Sequence, residues 1–217
     1  MFISFEGGDG AGKTTQINAL AAQLEAQGRR VLCLREPGSS PGAEAIRNLL
    51  LNGAPDRWVA VEELFLFSAA RHELVRTKIK PALAGGTVVL CDRFADSSAV
   101  YQGRAGGLAP DILEVVEALA TGGLRPDLTF LIDVPPHLGL ARADQRLQQQ
   151  GDQDQDQAEA RFEGKDALYH QAVRQAFLDR AAQFSQRFRL IDGAQAREAV
   201  AQDVWQAFVA FQAGHAQ

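Results

Sequence analysis

Long apolar runs are missing from this chain. Although 46% of its 217 residues are hydrophobic, no stretch approaches the ~20 residues that a membrane-spanning helix needs, so a helical membrane segment is excluded. Basic and apolar leader regions are also missing, because strand-like residues begin at Phe2. The expectation is a protein that stays where it is made, in the cytoplasm. Cysteine is scarce: Cys33 and Cys91 each stand in an apolar run that reads as an interior strand, and both are expected to be buried, reduced thiols. The four histidines, His72, His137, His170 and His215, share no metal-ligand spacing with one another or with the cysteines, which argues against a zinc site. Positive charge is in deficit, 22 Lys and Arg against 27 Asp and Glu. A net charge of −5 speaks against a nucleic-acid polymer as main ligand, since such proteins carry a basic face.

What is present is a phosphate cradle. Gly7, Gly8, Asp9, Gly10, Ala11, Gly12, Lys13 and Thr14 fit G-x-x-x-x-G-K-[ST]. Glycines let successive backbone N–H groups turn toward anionic oxygens; Lys13 can span β and γ phosphates, and the Thr14 hydroxyl can hold Mg²⁺. The apolar run Phe2–Phe5 precedes the loop, and Ile17, Leu20, Ala21 and Leu24 follow at helical spacing. Strand, loop and helix therefore come in the order that a P-loop requires.

Further strand candidates occur at Val31–Leu34, Val88–Cys91, Leu128–Asp133 and Phe188–Asp192, with helical patterns between them. That alternation predicts an α/β fold, a five-stranded parallel sheet between two layers of helices, with ligands at the carboxyl ends of the strands. The length suits one domain, residues 1–217. Helix 1 should end near Gly28, Val59–Ala84 reads as a long helical region interrupted at Pro81, and Ala109–Ala120, Asp166–Arg187 and Ala196–Phe211 read as helices. Residues 148–157 contain no apolar side chain and predict a mobile loop. Asp152, Asp154, Asp156 and Glu163 imitate calcium-loop spacing, but Gln157 stands where that loop needs a turn-forming Gly, which favours a solvated acidic tip.

After strand 3 the chain reads Cys91-Asp92-Arg93-Phe94, then Asp96-Ser97-Ser98 and Tyr101-Gln102-Gly103. Asp92 stands where a P-loop enzyme keeps a carboxylate for Mg²⁺, opposite Thr14, and Arg93 can clamp a phosphate bidentately. With a helix starting around Ser97, residues Ser98, Tyr101 and Gln102 share one face. Phe67 and Arg71, four apart, offer an aromatic plane with a guanidinium beyond it; Phe67 alone also reads as a core residue. Arg35-Glu36-Pro37-Gly38 follows strand 2, and its charged pair reads equally as a surface turn.

These residues resemble the bacterial thymidylate kinase family nearly end to end. The resemblance rests on Phe5-Glu6-Gly7 into the P-loop, Thr14-Thr15-Gln16, Arg35-Glu36-Pro37-Gly38, Phe67 with Arg71, Asp92-Arg93-Phe94, Ser97-Ser98 with Tyr101-Gln102, Pro126-Asp127-Leu128 leading to Leu131-Ile132-Asp133, and Arg161-Phe162-Glu163. It implies transfer of the γ-phosphoryl of ATP to dTMP, with Mg²⁺, by a P-loop homodimer whose lid spans about 142–165. Phe67 would stack on thymine and Arg71 bond its edge; Ser98 and Gln102 would define the base pocket, and Tyr101 would lie under the sugar. Arg93, with Arg47 beside it, would hold the acceptor phosphate; Asp9 would contact the 3′-hydroxyl, and Glu36 and Glu163 would line the site. One branch of the family carries an arginine inside the P-loop where this chain has Gly10, so the transition-state charge is expected from Arg142, Arg146, Arg161 or Lys165. An added arginine at position 10 would then partly compensate for its loss. Ser39-Ser40 also replaces the Gly-Thr of many relatives. Two rivals remain at this stage: a P-loop kinase with another acceptor, and a partner-regulated P-loop ATPase, the latter without an Asn-Lys-x-Asp guanine signature.

Overall fold

The computed structural model describes residues 1–52, 54, 57–150 and 166–215, the side chains of 146–150 and 215 excepted. Strands β1 (Phe2–Glu6), β2 (Val31–Arg35), β3 (Val88–Asp92), β4 (Leu128–Asp133) and β5 (Phe188–Asp192) form one parallel sheet in the order β2-β3-β1-β4-β5. Three of them run one residue past the apolar run, onto Glu6, Arg35 and Asp92, and these charged ends open the site. Because β3 lies between β1 and β2 while β4 and β5 extend from the other side of β1, the chain changes direction at β1 and leaves a crevice there.

Strand side chains alternate between two buried faces. Ile3, Phe5, Leu90 and Phe130 pack with Leu20 and Leu24 of helix α1 (Lys13–Ala26) and with Val204 and Phe208 of the C-terminal helix Arg197–His215. Phe2, Val89 and Cys91 face the other way, toward Leu74, Val75, Ile79 and Phe94. Both faces of the sheet are covered by buried apolar side chains, as a parallel sheet requires. No helix among the described residues is long and apolar enough to cross a membrane.

The edge position of β2 corrects one expectation. Cys91, on interior β3, is buried, but Cys33 is exposed; both thiols are free. An apolar run does not reveal whether a neighbouring strand covers it. The region around Pro81 also departs from expectation. Helix α2 (Pro41–Leu51) is followed by α3 (Ala60–Leu74), which passes into a π-helical turn, Val75–Ile79, before α4 (Lys80–Ala84). The irregularity therefore precedes Pro81, which stands in the first turn of α4, where its missing N–H costs nothing.

Helix α5 (Ala95–Ser98) starts two residues earlier than expected and continues as a π-helical segment, Ala99–Ala105. Helices α6 (Pro110–Thr121) and α7 (Pro136–Gln150) precede α8 (Ala167–Gln183). Residues 148–150 are thus the last turn of α7 and not loop, consistent with the helix propensity of glutamine. The rest of the polar tract, 151–157, lies outside the described residues. Asp166 caps α8 by accepting the Tyr169 N–H at 2.8 Å. That helix stops four residues short of the expected Arg187, whose guanidinium turns inward to Asp96 at 2.8 Å.

Candidate active site

The loop between β1 and α1 is a tight backbone turn in which Gly7, Gly10 and Gly12 have φ of 141°, 66° and 90°. A Cβ on Gly7 would lie 2.5 Å from the Ile132 carbonyl oxygen, and one on Gly10 would lie 1.9 Å from that of Gly139. Glycine is required at both by conformation and by space. Gly139, on α7, is reciprocally crowded, its Cβ position falling 2.5 Å from the Asp9 carbonyl oxygen. The start of α7 therefore rests directly on the P-loop backbone. As packed, a side chain at position 10 would meet the Gly139 carbonyl, so an arginine added there to compensate for a lost cation would require α7 to move.

Lys13 Nζ donates to the carbonyls of Gly8 at 2.9 Å and Gly7 at 3.3 Å, which holds the ammonium over the cradle. The first turn of α1 carries no acidic residue, so its N-terminal dipole favours an anion. Thr14 Oγ1 donates to Asp92 Oδ2 at 2.6 Å, joining the two oxygens expected to face Mg²⁺. Hard oxygen ligands at the mouth of a phosphate cleft fit that cation.

Arg93, at φ 67°, is held in the left-handed region. Its Nη2 pairs with Asp9 Oδ1 at 2.6 Å, while Nη1 donates to Gly7 O, Ser97 Oγ and the Tyr101 hydroxyl at 3.1, 3.3 and 3.4 Å. Beneath this turn is fully buried Glu6, whose carboxyl oxygens accept the Phe94 N–H at 2.8 Å and the Ser97 hydroxyl at 2.6 Å. Burial, reinforced by Asp96, pushes its pKa up to about 8. For Asp96 burial also raises the pKa, but the hydrogen bonds and charges of Arg187 and Arg180 prevail and hold the carboxyl below its ordinary range.

On α3, Arg71 is buried. Its Nε donates to Glu36 Oε2 at 2.7 Å, Nη1 and Nη2 donate to Ser98 Oγ at 3.2 and 3.1 Å, and Nη2 also reaches the Phe94 carbonyl at 3.2 Å. Glu36 Oε1 is buried without a hydrogen-bond partner among the described residues. Burial, opposed by Arg71, raises the Glu36 pKa to about 7. An unsatisfied oxygen of this kind is placed to accept from a bound molecule or a water.

Two cavities meet here. The smaller is lined by Phe67, Arg71, Ser98, Tyr101 and Gln102 together with Asp9, Glu36, Arg47 and Arg93. The larger runs over Gly10, Gly12, Lys13, Thr14 and Asp92 and includes the same Asp9, Glu36, Arg47 and Arg93. Arg47 Nη1 donates to the Pro37 carbonyl at 2.9 Å, which ties α2 to the loop after β2. Gly7, Gly8 and Ala11 of the cradle also line a third, smaller cavity with Ile132 and Val134. Arg142 donates from Nη1 to the Gly193 carbonyl at 2.8 Å. The side chain of Arg146, and Arg161, Glu163 and Lys165 entirely, lie outside the described residues.

Two buried carboxylates, Glu6 and Glu63, have no role assigned to them from sequence. Glu63 accepts the Gln102 amide at 3.0 Å and forms, with Phe67 and Arg71, a stripe at i, i+4, i+8 on α3. That spacing was a usable signal. Glu6 had none beyond its place before the P-loop.

A family profile described as thymidylate kinase matches residues 5–204. Among curated proteins, the thymidylate kinase of Ruegeria pomeroyi is 48% identical over 204 residues, covering 94% of this chain and 92% of that protein. That of Nitrobacter hamburgensis is 48% identical over 206 residues, 95% and 86% of the two chains. Among solved structures, the thymidylate kinase of Ehrlichia chaffeensis superposes with a TM-score of 0.75 at 30% identity, covering 96% of this chain and 98% of the other.

Proposed function

The chain belongs to the thymidylate kinase family, and on that premise we propose how its residues divide the transfer of the ATP γ-phosphoryl group to dTMP. The observation that carries the reading is the junction of the two cavities at Asp9, Glu36, Arg47 and Arg93. The larger cavity takes the ATP phosphates on the loop Gly7–Thr14, with Lys13 over the β and γ oxygens. The smaller takes dTMP: Phe67 stacks on the base, Arg71, Ser98 and Gln102 meet its polar edge, and Tyr101 lies at the sugar. Arg93 and Arg47 hold the acceptor phosphate, Asp9 the 3′-hydroxyl, and Glu163 completes the acceptor site.

The acceptor phosphate is itself the nucleophile, since its second pKa of ~6 leaves it largely dianionic at neutral pH. Side chains therefore need only align donor and acceptor and neutralise charge. Thr14 and Asp92 are the residues that would hold Mg²⁺, which neutralises phosphate charge when bound. Segment 142–165 acts as the lid of a single domain and supplies Arg146 and Arg161 to the transferring group. An apolar stripe supports a homodimer: Phe65 on α3 and Ile112, Val115 and Leu119 on α6 are 58%, 43%, 62% and 73% exposed. Two free cysteines and small soluble substrates fit a cytoplasmic enzyme.

A coupled assay with ATP and the monophosphates of deoxythymidine, deoxyuridine, deoxycytidine and deoxyguanosine tests the acceptor assignment. dTMP should lead, with dUMP a poorer substrate by the ~1–3 kcal/mol that one methyl provides. Equal kcat/KM for dTMP and dCMP would sink the pocket assignment.

A further inference from the structure

We propose that Glu63 is a specificity-determining positioning residue, which fixes the amide of Gln102 so that the pocket accepts a base with a ring N–H and rejects one with a bare ring nitrogen. The proposal rests on the acceptor reading above and concerns a residue that does not line the cavity.

Gln102 is 2% exposed and Glu63 9%. The Gln102 Nε2 donates to Glu63 Oε2 at 3.0 Å. A glutamine amide carries a donor end and an acceptor end of nearly equal size, so its orientation is set by its partners. Flipped, it would press an amide oxygen against a carboxylate oxygen in a site removed from water, which is repulsive. Glu63 therefore commits the NH₂ group to itself and leaves Oε1 as the end available to a ligand.

The neighbouring groups have the opposite character. Arg71 offers only donors, and Ser98 Oγ already accepts from both terminal nitrogens of that guanidinium, so its own proton is left to donate. The pocket thus presents donors from Arg71 and Ser98 beside one acceptor from Gln102. A thymine edge presents two carbonyl acceptors flanking one N–H donor and complements that set. A cytosine edge presents an amino donor and an unprotonated ring nitrogen. It would oppose donor to donor and acceptor to acceptor, leaving buried polar groups unpaired, which is the strongest form of discrimination available to a binding site.

The geometry of α3 explains how one helix delivers this. Glu63, Phe67 and Arg71 recur every fourth residue, so the residue that orients the amide, the ring and the guanidinium lie along one stripe. Gln102 comes from the π-helical segment that packs against that helix. Glu63 reaches the base through Gln102, since it accepts from that amide and does not itself line the cavity.

The test is the ratio of kcat/KM for dTMP over dCMP in Glu63→Gln, whose neutral amide can pair with Gln102 in either orientation. The ratio should fall by about 10- to 100-fold, the range corresponding to one hydrogen bond to a charged group, while kcat at saturating dTMP stays within about fivefold. In a Gln102→Leu background the same Glu63 change should leave the ratio unaltered, because nothing remains to orient. A wild-type ratio in Glu63→Gln, or an undiminished effect of Glu63→Gln in the Gln102→Leu background, would overturn the proposal. A wild-type enzyme indifferent to dTMP and dCMP would instead overturn the pocket reading beneath it. Should Glu63→Gln fail to fold, Glu63→Asp with calorimetric Kd values for both nucleotides reads the same selectivity: a reduced preference supports the role, and an unchanged one refutes it.

Discussion

Arg71 and Glu36 are joined by a 2.7 Å Nε–Oε2 ion pair in which the side chains are only 2% and 4% exposed. The pair spans α3 and the end of β2, so the residue that would read the base is fixed to the loop that borders the phosphates. Taking two charges out of water is costly, and their attraction offsets that cost only while both partners are present.

Removing one partner should therefore do more harm than an ordinary surface change. Glu36→Ala leaves a buried guanidinium with neutral partners, Ser98 and the Phe94 carbonyl. A loss of about 3–5 kcal/mol is expected by urea unfolding, together with weaker dTMP binding. Unchanged stability would mean that the pair is hydrated in solution.

Glu6 gives stability a characteristic pH dependence. Its pKa is raised by burial to about 8, against 4.5 for an ordinary carboxyl. The folded state then holds a proton that the unfolded chain releases, so the contribution is fully present below pH 4.5 and is lost as pH rises toward 8. Between those limits wild-type unfolding free energy should fall relative to that of Glu6→Gln, by on the order of a few kcal/mol. Parallel profiles for the two proteins would show that Glu6 titrates normally.

Phe67 separates binding from packing. It lines the acceptor cavity and also packs against Leu50 and Leu51. Phe67→Ala should weaken dTMP binding by ~1–3 kcal/mol through lost stacking, leaving ATP affinity intact. Lower thermal stability with unchanged dTMP affinity would make it a core residue only.

The parts of this arrangement legible in sequence were those with local causes. All five strands are visible because apolar runs end in turns, and the cradle because glycine and lysine spacing is dictated by phosphate geometry. Every described acceptor residue chosen from sequence, from Asp9 to Gln102, lines the smaller cavity. The exposure of Cys33 is not legible in sequence because edge position belongs to the sheet and not to the strand. The π-helical turns at Val75–Ile79 and Ala99–Ala105 were likewise hidden, since what forces an extra residue into a turn is its packing. Glu6 and Glu63 escaped because a carboxylate in a chain with 27 acidic residues reads as surface until its partners are known.

The exposed stripe on α3 and α6 predicts the oligomeric state. With Val115 62% and Leu119 73% exposed in the single chain, a second copy would remove substantial apolar surface from water. Light scattering should give a dimer for the wild type and a monomer for Val115→Asp combined with Leu119→Lys. A monomeric wild type at micromolar concentration would refute this face as an interface.

The source of the transition-state cation is open to a direct test. Gly10 cannot carry an arginine as packed, Arg142 is engaged with the Gly193 carbonyl, and Arg93 is paired with Asp9. Lys13 remains over the cradle, but fingers supplied from outside a P-loop contribute ~10³–10⁵ in kcat in other phosphoryl-transfer enzymes. Arg146→Ala or Arg161→Ala should therefore lower kcat by at least about tenfold with little change in dTMP affinity, the pattern of an interaction made in the transition state. Gly10→Arg should not rescue either variant. It places a side chain at φ 66° with its Cβ 1.9 Å from the Gly139 carbonyl oxygen, so it should instead lower stability by displacing α7 from the loop. Near wild-type turnover in both alanine variants would remove these arginines from the mechanism, and recovery of turnover on adding Gly10→Arg would show that α7 can move away from the P-loop without loss of the active arrangement.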